Sequence, residues 1–148
     1  MKINNSRKIF ILKGSESTGK TETLLRLCSI LYGVSDSSSL QRYCKWTSDC
    51  HGIFVFDNTT ICVTTAGDNK EEIDENLKFF NEHNPTIIFT ALRSSKRKNN
   101  NEKKLEDFAR CKKYESEIIN KSKRKTNAQE AMGLFNKIIY IGEVYEKN

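Results

Sequence analysis

The sequence has few of the features that mark membrane-bound or secreted proteins. Of its 148 residues only 36% are hydrophobic, and no apolar run is long enough to cross a bilayer. No signal peptide is apparent, because the first residues lead directly into a short apolar run. There is one proline, and no internal repeat is visible. We therefore expect a single cytoplasmic domain over residues 1–148 that does not contact a membrane.

A disulfide framework and a zinc site are also disfavoured. The five cysteines are odd in number and irregularly spaced, which predicts reduced thiols. Cys28 and Cys62 fall in apolar patterns and are expected in the core. Cys44, Cys50 and His51 lie close together, but they lack C-x-x-C spacing and a clear fourth ligand.

Positive charge is concentrated in one segment. Residues 93–125 hold 13 Lys and Arg against 5 Asp and Glu, a net charge of +8, while the whole chain carries +6. The rest of the chain is therefore close to neutral, at −2. Three interpretations stay open for this basic segment: a lid-like segment over a bound nucleotide, a nucleic-acid-binding surface, or a solvated helix face with its loops.

The chain does contain one complete motif. Residues 14–21 read GSESTGKT and match G-x-x-x-x-G-K-[ST] at every fixed position. The preceding apolar run, residues 9–12, is typical of a buried parallel strand. The following residues, 21–32, have helical spacing of apolar side chains, with Gly33 as the predicted C-cap. This succession of strand, glycine loop and helix is the context in which the motif binds phosphate, whereas a flexible turn before an ordinary helix is the alternative.

The residue types in the motif suit a phosphate group. Glycines at 14 and 19 allow backbone conformations and close approaches that a side chain would prevent. Backbone N–H groups and the helix N-terminus would surround the anion, Lys20 would reach the β- and γ-phosphates, and the Thr21 hydroxyl would bind Mg²⁺. The residues predicted to bind nucleotide are Gly14, Ser15, Glu16, Ser17, Thr18, Gly19, Lys20 and Thr21.

On these residues the sequence resembles the P-loop NTPase superfamily. The run ESTGKT is also similar to the loops of RecA-type recombinases and nicotinamide riboside kinases, and the resemblance extends over residues 14–21 only. It implies a P-loop NTPase-like α/β fold, a three-layer α/β/α arrangement around a small, mostly parallel sheet. It also implies Mg²⁺ as cofactor and ATP or GTP as ligand. The guanine-reading [NT]-K-x-D motif is absent, and the chain is short for a complete RecA-type core.

Two apolar runs in the middle of the chain predict a β-hairpin. Residues 53–56 and 61–64 are joined by the turn-forming residues 57–60. One of these strands should be antiparallel to the rest of the sheet, at or near an edge. Asp57 mimics the Walker B pattern because it follows four apolar residues, but turn chemistry is the favoured interpretation.

Two polar residues follow predicted strands on the edge where ligands of open α/β sheets bind. Asp68 follows the second hairpin strand and is our first candidate for a magnesium carboxylate. Alternatively, Asp68 and Glu71 form an N-terminal capping pattern for a helix that ends near Asn84. Arg93 follows the strand predicted over residues 86–91 and could meet a transferring phosphoryl group, or it could simply begin a solvated loop.

The remaining elements are predicted from periodicity and capping. Residues 34–44 read as a surface loop followed by a short helical turn, and residues 102–120 as one amphipathic helix. Thr126 and Gln129 form a capping box for a further helix. Residues 137–142 read as a final strand.

The leading functional hypothesis is a small kinase-like phosphotransferase that uses Mg-ATP, with Lys20, Asp68 and Arg93 as catalytic residues and Thr21 and Asp68 at the metal. No acceptor motif is recognisable, so a small-molecule or nucleotide acceptor is expected by analogy only. Position alone suggests Ser37, Gln41, Arg42 and Trp46 for the acceptor, and Asp36 or Asp57 as a base. The alternative is an NTPase or nucleotide-gated binding module whose basic segment engages nucleic acid or a protein partner.

Overall fold

The computed structural model describes residues 6–15, 18–42, 49–57, 59–95, 100–121 and 124–139. Predictions for Glu16, Ser17, Trp46 and residues 140–142 therefore lie outside the described residues. Within the described ranges the elements are, in chain order, β1 (Lys8–Gly14), α1 (Lys20–Val34), β2 (Ser37–Arg42), β3 (Cys50–Phe56), β4 (Thr59–Thr64), α2 (Lys70–His83), β5 (Ile87–Arg93), α3 (Asn100–Cys111), β6 (Glu115–Asn120) and α4 (Asn127–Asn136).

The described strands form one mixed sheet in the order β2-β3-β4-β5-β1-β6. Strands β4, β5, β1 and β6 are mutually parallel, and β3 is antiparallel to both β2 and β4. The predicted mostly parallel sheet with a hairpin is confirmed. The strand that carries the glycine motif lies between β5 and β6, in the parallel part of the sheet.

Helices cover both faces of the sheet because β1 is apolar on both sides. Phe10 and Leu12 pack with α1 and α4, whereas Ile9 and Ile11 pack with α2 and α3. The side chains of β1 at these positions are at most 2% exposed. A run of consecutive apolar residues is expected for a parallel strand covered on both faces. The protein is thus an α/β fold in which helices flank the sheet on either side.

Turn and cap residues place the ends of the middle elements as the sequence predicts. Asp57 turns the β3–β4 hairpin with a φ of 50°, a left-handed conformation that Asp tolerates better than most residues. Helix α2 ends at Asn84, which has a φ of 44° and whose N–H bonds to the carbonyl of Phe80. The capping box of Thr126 and Gln129 is present at the start of α4, with both hydrogen bonds formed.

The helix predicted over residues 102–120 is wrong in its second half. Helix α3 ends at Cys111, Lys113 takes a φ of 62°, and the chain then enters β6 parallel to β1. The apolar spacing had continued into Ile118, but here that residue pairs in register with Ile11. Pairing with β1 outweighs the local helical pattern.

Much of the basic segment 93–125 belongs to the body of the fold and not to a separate lid. Leu105 and Ala109 of α3 are buried against the sheet, and the Lys13 ammonium meets the Glu102 carboxylate at 2.6 Å. Strand β6 extends the sheet beside β1. A lid role therefore stays a prediction only for the connections around α3 and β6.

Smaller corrections concern strand β2, the end of α1 and the end of β5. Residues 37–42, predicted as loop and helical turn, form strand β2 antiparallel to β3. Gly33 lies within α1, and Ser35 is the C-cap. Strand β5 extends to Arg93, so this residue ends the strand instead of following it.

No helix in the described ranges is both long enough and apolar enough to span a bilayer.

Candidate functional site

At both glycines of the GSESTGKT motif an added Cβ would come close to a neighbouring side chain. Gly14 ends β1, and a Cβ there would lie 2.6 Å from the Thr18 hydroxyl oxygen. Gly19 is the N-cap of α1 with a φ of 91°, and a Cβ there would lie 2.4 Å from Asn127 Oδ1. The backbone reason for glycine predicted from the motif is therefore present at Gly19, and close neighbours are present at both positions.

Lys20 directs its charge into this loop. Its Nζ donates hydrogen bonds to the carbonyl oxygens of Gly14 at 2.8 Å and Ser15 at 3.0 Å, and the residue is 7% exposed. The Thr18 hydroxyl donates to the same Ser15 carbonyl at 2.8 Å. These bonds join Gly14 and Ser15, at the end of β1, to Thr18 and Lys20, at the start of α1, next to a buried ammonium group.

The Thr21 hydroxyl joins a carboxylate that the sequence did not single out. Thr21 Oγ1 donates to Asp49 Oδ1 at 3.2 Å, and Thr65 Oγ1 donates to the same oxygen at 2.8 Å. The Thr65 hydroxyl in turn accepts from the Cys50 N–H at 2.9 Å. Asp49 thus lies beside the first turn of α1, with the two hydroxyl groups fixing its orientation.

The strand direction of β3 explains why Asp49 is found here. Because β3 is antiparallel to β4, the residue just before β3 lies at the same edge of the sheet as the carboxyl ends of the parallel strands. The predicted hairpin already implied that a residue just before its antiparallel strand lies at the ligand edge of the sheet. No local sequence motif marks Asp49 itself.

The carboxyl ends of the four parallel strands meet in one row. The Arg93 N–H bonds to the Gly67 carbonyl at 3.0 Å, and the Ser94 N–H bonds to the Gly14 carbonyl at 3.0 Å. The Lys121 N–H bonds to the Lys13 carbonyl at 2.7 Å. Arg93 pairs in register with Gly14, and its side chain is exposed. The structure therefore brings Arg93 to the edge that carries the glycine loop.

Lys121 joins the basic residues near the loop. It is 6% exposed, and its Cβ lies 3.3 Å from the position that a Cβ on Gly14 would take. Two residues of the basic segment, Arg93 and Lys121, are consequently both beside β1 at this edge. Sequence reasoning had assigned Lys121 only to a basic run.

Asp68 lies at the same edge but in a different setting from the one predicted. It is exposed, and its N–H donates to Glu72 Oε1 at 2.7 Å. Asn69, not Asp68, is the N-cap of α2, and its side chain accepts from the Glu72 N–H at 2.9 Å. The capping pattern was thus predicted one residue too early. The carboxylate bonded to Thr21 is that of Asp49, and a magnesium role for Asp68 stays a prediction.

A buried thiol pair lies behind Asp49. Cys28 of α1 hydrogen-bonds to Cys50, and this bond raises the pKa of the Cys28 thiol and lowers that of Cys50. Burial adds to the shift at Cys28, whereas burial and the charge of Asp49 oppose it at Cys50. The cysteines in the described ranges are free, and no group of three or more His, Cys, Asp or Glu side chains there could hold a metal ion.

Asp36 and Asp57, the two candidates for a catalytic base, lie at the end of the sheet away from the glycine motif. The Asp57 N–H bonds to Asp36 Oδ2 at 2.6 Å, at the turn where β4 begins. Ile61, near the start of β4, and Lys8, at the start of β1, both pair with Ile87 of β5. The turn before β4 therefore lies at the end of the sheet opposite Gly14. Ser37, at the start of β2, pairs with Val55 near this same distant turn.

Comparisons with known proteins add no relative. No family model matches the chain, and neither the curated proteins nor the solved structures contain a significant match.

Proposed function

We propose that this protein binds a Mg²⁺–nucleoside triphosphate, ATP or GTP, in a P-loop and acts as a small kinase-like phosphotransferase. One observation supports the proposal above the others. Between a parallel strand and a helix N-terminus, a buried lysine ammonium donates to the Gly14 and Ser15 carbonyls, and Gly19 takes a positive φ that favours glycine. A P-loop NTPase-like fold is part of this proposal.

The described residues of the loop fit a polyphosphate. Lys20 and Thr21 begin α1, where the backbone N–H groups of the first helical turn and the helix dipole favour an anion. The Lys20 ammonium would exchange its carbonyl partners for phosphate oxygens, which are the stronger acceptors because they are charged. The residues assigned to the nucleotide remain Gly14 to Thr21.

The Thr21 hydroxyl and Asp49 suit a hydrated magnesium ion. Mg²⁺ prefers oxygen ligands and usually keeps several waters, so one hydroxyl contact and a carboxylate that orients water are sufficient. Thr21 and Asp49 would hold the ion, and the positive charge it supplies would neutralise charge that develops on the phosphates. Thr65 holds the Asp49 carboxylate in place, and Asp68 is a second candidate at the same edge.

Arg93 is the proposed contact for the transferring phosphoryl group. Its main chain is fixed by register with Gly14 and by the bond to Gly67, while its exposed side chain extends from the end of β5. Such a cation stabilises charge that increases during transfer. Catalysis would depend mainly on positioning and electrostatics, as is general for phosphoryl transfer.

The first test is nucleotide-dependent stabilisation with a charge-matched control. Mg-ATP or Mg-GTP at a hundredfold excess over Kd should stabilise the protein by about 2.7 kcal/mol. Lys20→Ala should remove this stabilisation, whereas Lys103→Ala, an exposed lysine of α3, should keep it. Asp49→Asn should weaken nucleotide binding more when Mg²⁺ is present than when EDTA has removed it. Equal stabilisation of parent protein and Lys20→Ala would refute the site.

Turnover separates the proposed activity from its alternative. Nucleotide consumption that is slow alone and rises with one small-molecule acceptor supports a phosphotransferase. Consumption that rises instead with DNA or RNA, and falls steeply with salt, identifies a nucleotide-gated binding module.

A further inference from the structure

A cleft lies between the antiparallel strand pair β2 and β3 and helix α2, near the proposed phosphate site. Its volume is about 390 Å³, within the range of small-molecule sites. His51 is one of the residues that line it, two residues after Asp49, whose carboxylate is bonded to Thr21. The cleft therefore begins close to the edge where the γ-phosphate is expected.

The strand side of the cleft is a patch of paired residues. Gln41 lies directly opposite His51, and Ser39 lies opposite Ile53. Since side chains alternate along a strand, these residues share one face of the hairpin. An amide and a hydroxyl thus lie beside an imidazole and an apolar side chain.

The helix side contributes charge and an aromatic ring. Glu75, Lys78 and Glu82 line the cleft from exposed positions on one face of α2. Phe79, also on this face, packs its ring 4.5 Å from the His51 ring and 4.8 Å from that of His83, centroid to centroid. The helix side of the cleft therefore carries two carboxylates and one ammonium group, next to the ring of Phe79.

His51 is oriented by a hydrogen-bond chain that leads to the phosphate edge. Buried Asn76 donates from Nδ2 to the Ala66 carbonyl at 2.8 Å, so its Oδ1 faces His51 Nε2 at 3.0 Å. This arrangement makes Nε2 the protonated nitrogen of a neutral imidazole. Burial lowers the pKa of His51 and favours that neutral form. Ala66 is two residues before Asp68, at the end of β4 that faces the glycine loop.

The charges restrict the ligand class. A phosphorylated or carboxylated compound would meet the Glu75 and Glu82 carboxylates, and like charges brought close together repel. Hydroxyl and amino groups, in contrast, would donate to these carboxylates and to the oxygens of Gln41 and Ser39. A ring or the apolar face of a sugar would pack against the rings of Phe79 and His51.

We propose that this cleft binds a neutral or positively charged small molecule rich in hydroxyl or amino groups, and that this molecule is the phosphoryl acceptor. The acceptor role rests on the function proposed above. An acceptor hydroxyl oxygen would form a bond to the γ-phosphorus while the bond from that phosphorus to the β–γ bridging oxygen breaks. The nucleoside diphosphate leaves with that electron pair, and the hydroxyl proton passes to water.

Binding is tested on the full chain by NMR titration, with and without a Mg²⁺–nucleotide analogue. The probes are uridine, glucosamine and, as the anionic counterpart, uridine monophosphate. Uridine or glucosamine should shift the amide signals of His51 and Phe79, and uridine monophosphate should bind at least about tenfold more weakly than uridine. A Glu75→Gln, Glu82→Gln double variant should weaken glucosamine binding about tenfold, as expected for lost charged hydrogen bonds.

The matched control is Glu71→Gln, an exposed carboxylate on the same helix that does not line the cleft. It should bind the probes as the parent protein does. The inference is overturned if none of the probes shifts the cleft signals, if uridine monophosphate binds as well as uridine, or if the double variant binds glucosamine unchanged. Loss of Mg-nucleotide binding in the parent protein would instead refute the proposed function, so the two failures are distinguishable.

Discussion

Among the glycines that the structure describes, Gly67 leaves the least space for an added Cβ. A Cβ at this position would lie 2.0 Å from the Ala91 carbonyl oxygen and 2.5 Å from its carbon. These are backbone atoms of a central strand, so they cannot move away as the end of a flexible side chain would. The close approach also lets the Gly67 carbonyl accept the Arg93 N–H.

We predict that Gly67→Ala lowers the free energy of unfolding by about 3 kcal/mol, at the upper end for overpacking because the obstacle is main chain. Urea denaturation measures the loss. Gly133→Ala is the matched control, since a Cβ on this α4 glycine would meet nothing within 4 Å. It should raise stability by up to about 1 kcal/mol because alanine favours a helix interior. Similar stability of the two variants would contradict the close approach.

Residue types with a local signature were the predictable part of the candidate site. The two glycines, Lys20 and Thr21 follow from motif spacing alone, because each has a steric or charge requirement that one loop satisfies. Asp49 could not be found in this way. Its contact with Thr21 depends on two strands pairing antiparallel and on their position beside α1, which is information from the assembled sheet.

At the scale of whole elements, α4 is a helix whose start is fixed by side chains. Thr126 Oγ1 accepts the Gln129 N–H at 3.1 Å, and Gln129 Oε1 accepts the Thr126 N–H at 2.9 Å. The helix carries Ala131, Leu134 and Phe135 into the core against α1. The side-chain Oδ1 of Asn127, its first residue, accepts a hydrogen bond from the Thr23 hydroxyl of α1 at 3.2 Å.

We predict that Thr126→Ala destabilises the protein by about 1 kcal/mol, the usual cost of losing an N-cap. Thr126→Ser retains the hydroxyl and should stay within a few tenths of a kcal/mol of the parent protein, at about the level expected between good caps. Urea midpoints compare the three proteins. Equal losses for the alanine and serine variants would show that the hydroxyl does not stabilise α4.

Elements with strong periodicity or clear caps were predictable, and edge strands were not. The hairpin, α2 and β5 combine apolar patterning with turn or cap residues that agree with it. Strand β2 contains three serines and β6 is largely exposed, so neither has the apolar signal of a strand. Both are strands because a neighbouring strand offers them hydrogen bonds, a tertiary effect that local propensity does not contain.

On the scale of the whole molecule, strand order creates the candidate site. Gly14, Arg93 and Lys121 are far apart in sequence, and parallel pairing of β1 with β5 and β6 places them at one edge. The sequence predicts that ligands bind at such an edge, but not which strands adjoin β1. For this reason Arg93 could be proposed from its position after a strand, whereas Lys121 could not.

Stability of the whole molecule should depend on pH through His51. Burial lowers the pKa of this side chain from its usual 6.5, while the bond to Asn76 and the charges of Glu75 and Glu82 oppose that shift. The unfolded chain therefore binds a proton at a higher pH than the folded protein does. It follows that the free energy of unfolding falls as pH decreases through 6.5 towards the lower folded-state pKa.

We predict that a His51→Gln variant shows a flatter pH dependence than the parent protein in that window. The difference in slope should not exceed about 1.4 kcal/mol per pH unit, the value for one proton. Glutamine still offers an N–H to Asn76 Oδ1 but does not titrate, so carboxylates common to both proteins cancel in the comparison. Urea denaturation from above pH 7 to below pH 6 measures both curves, and parallel curves would show that His51 keeps its unfolded-state pKa in the folded protein.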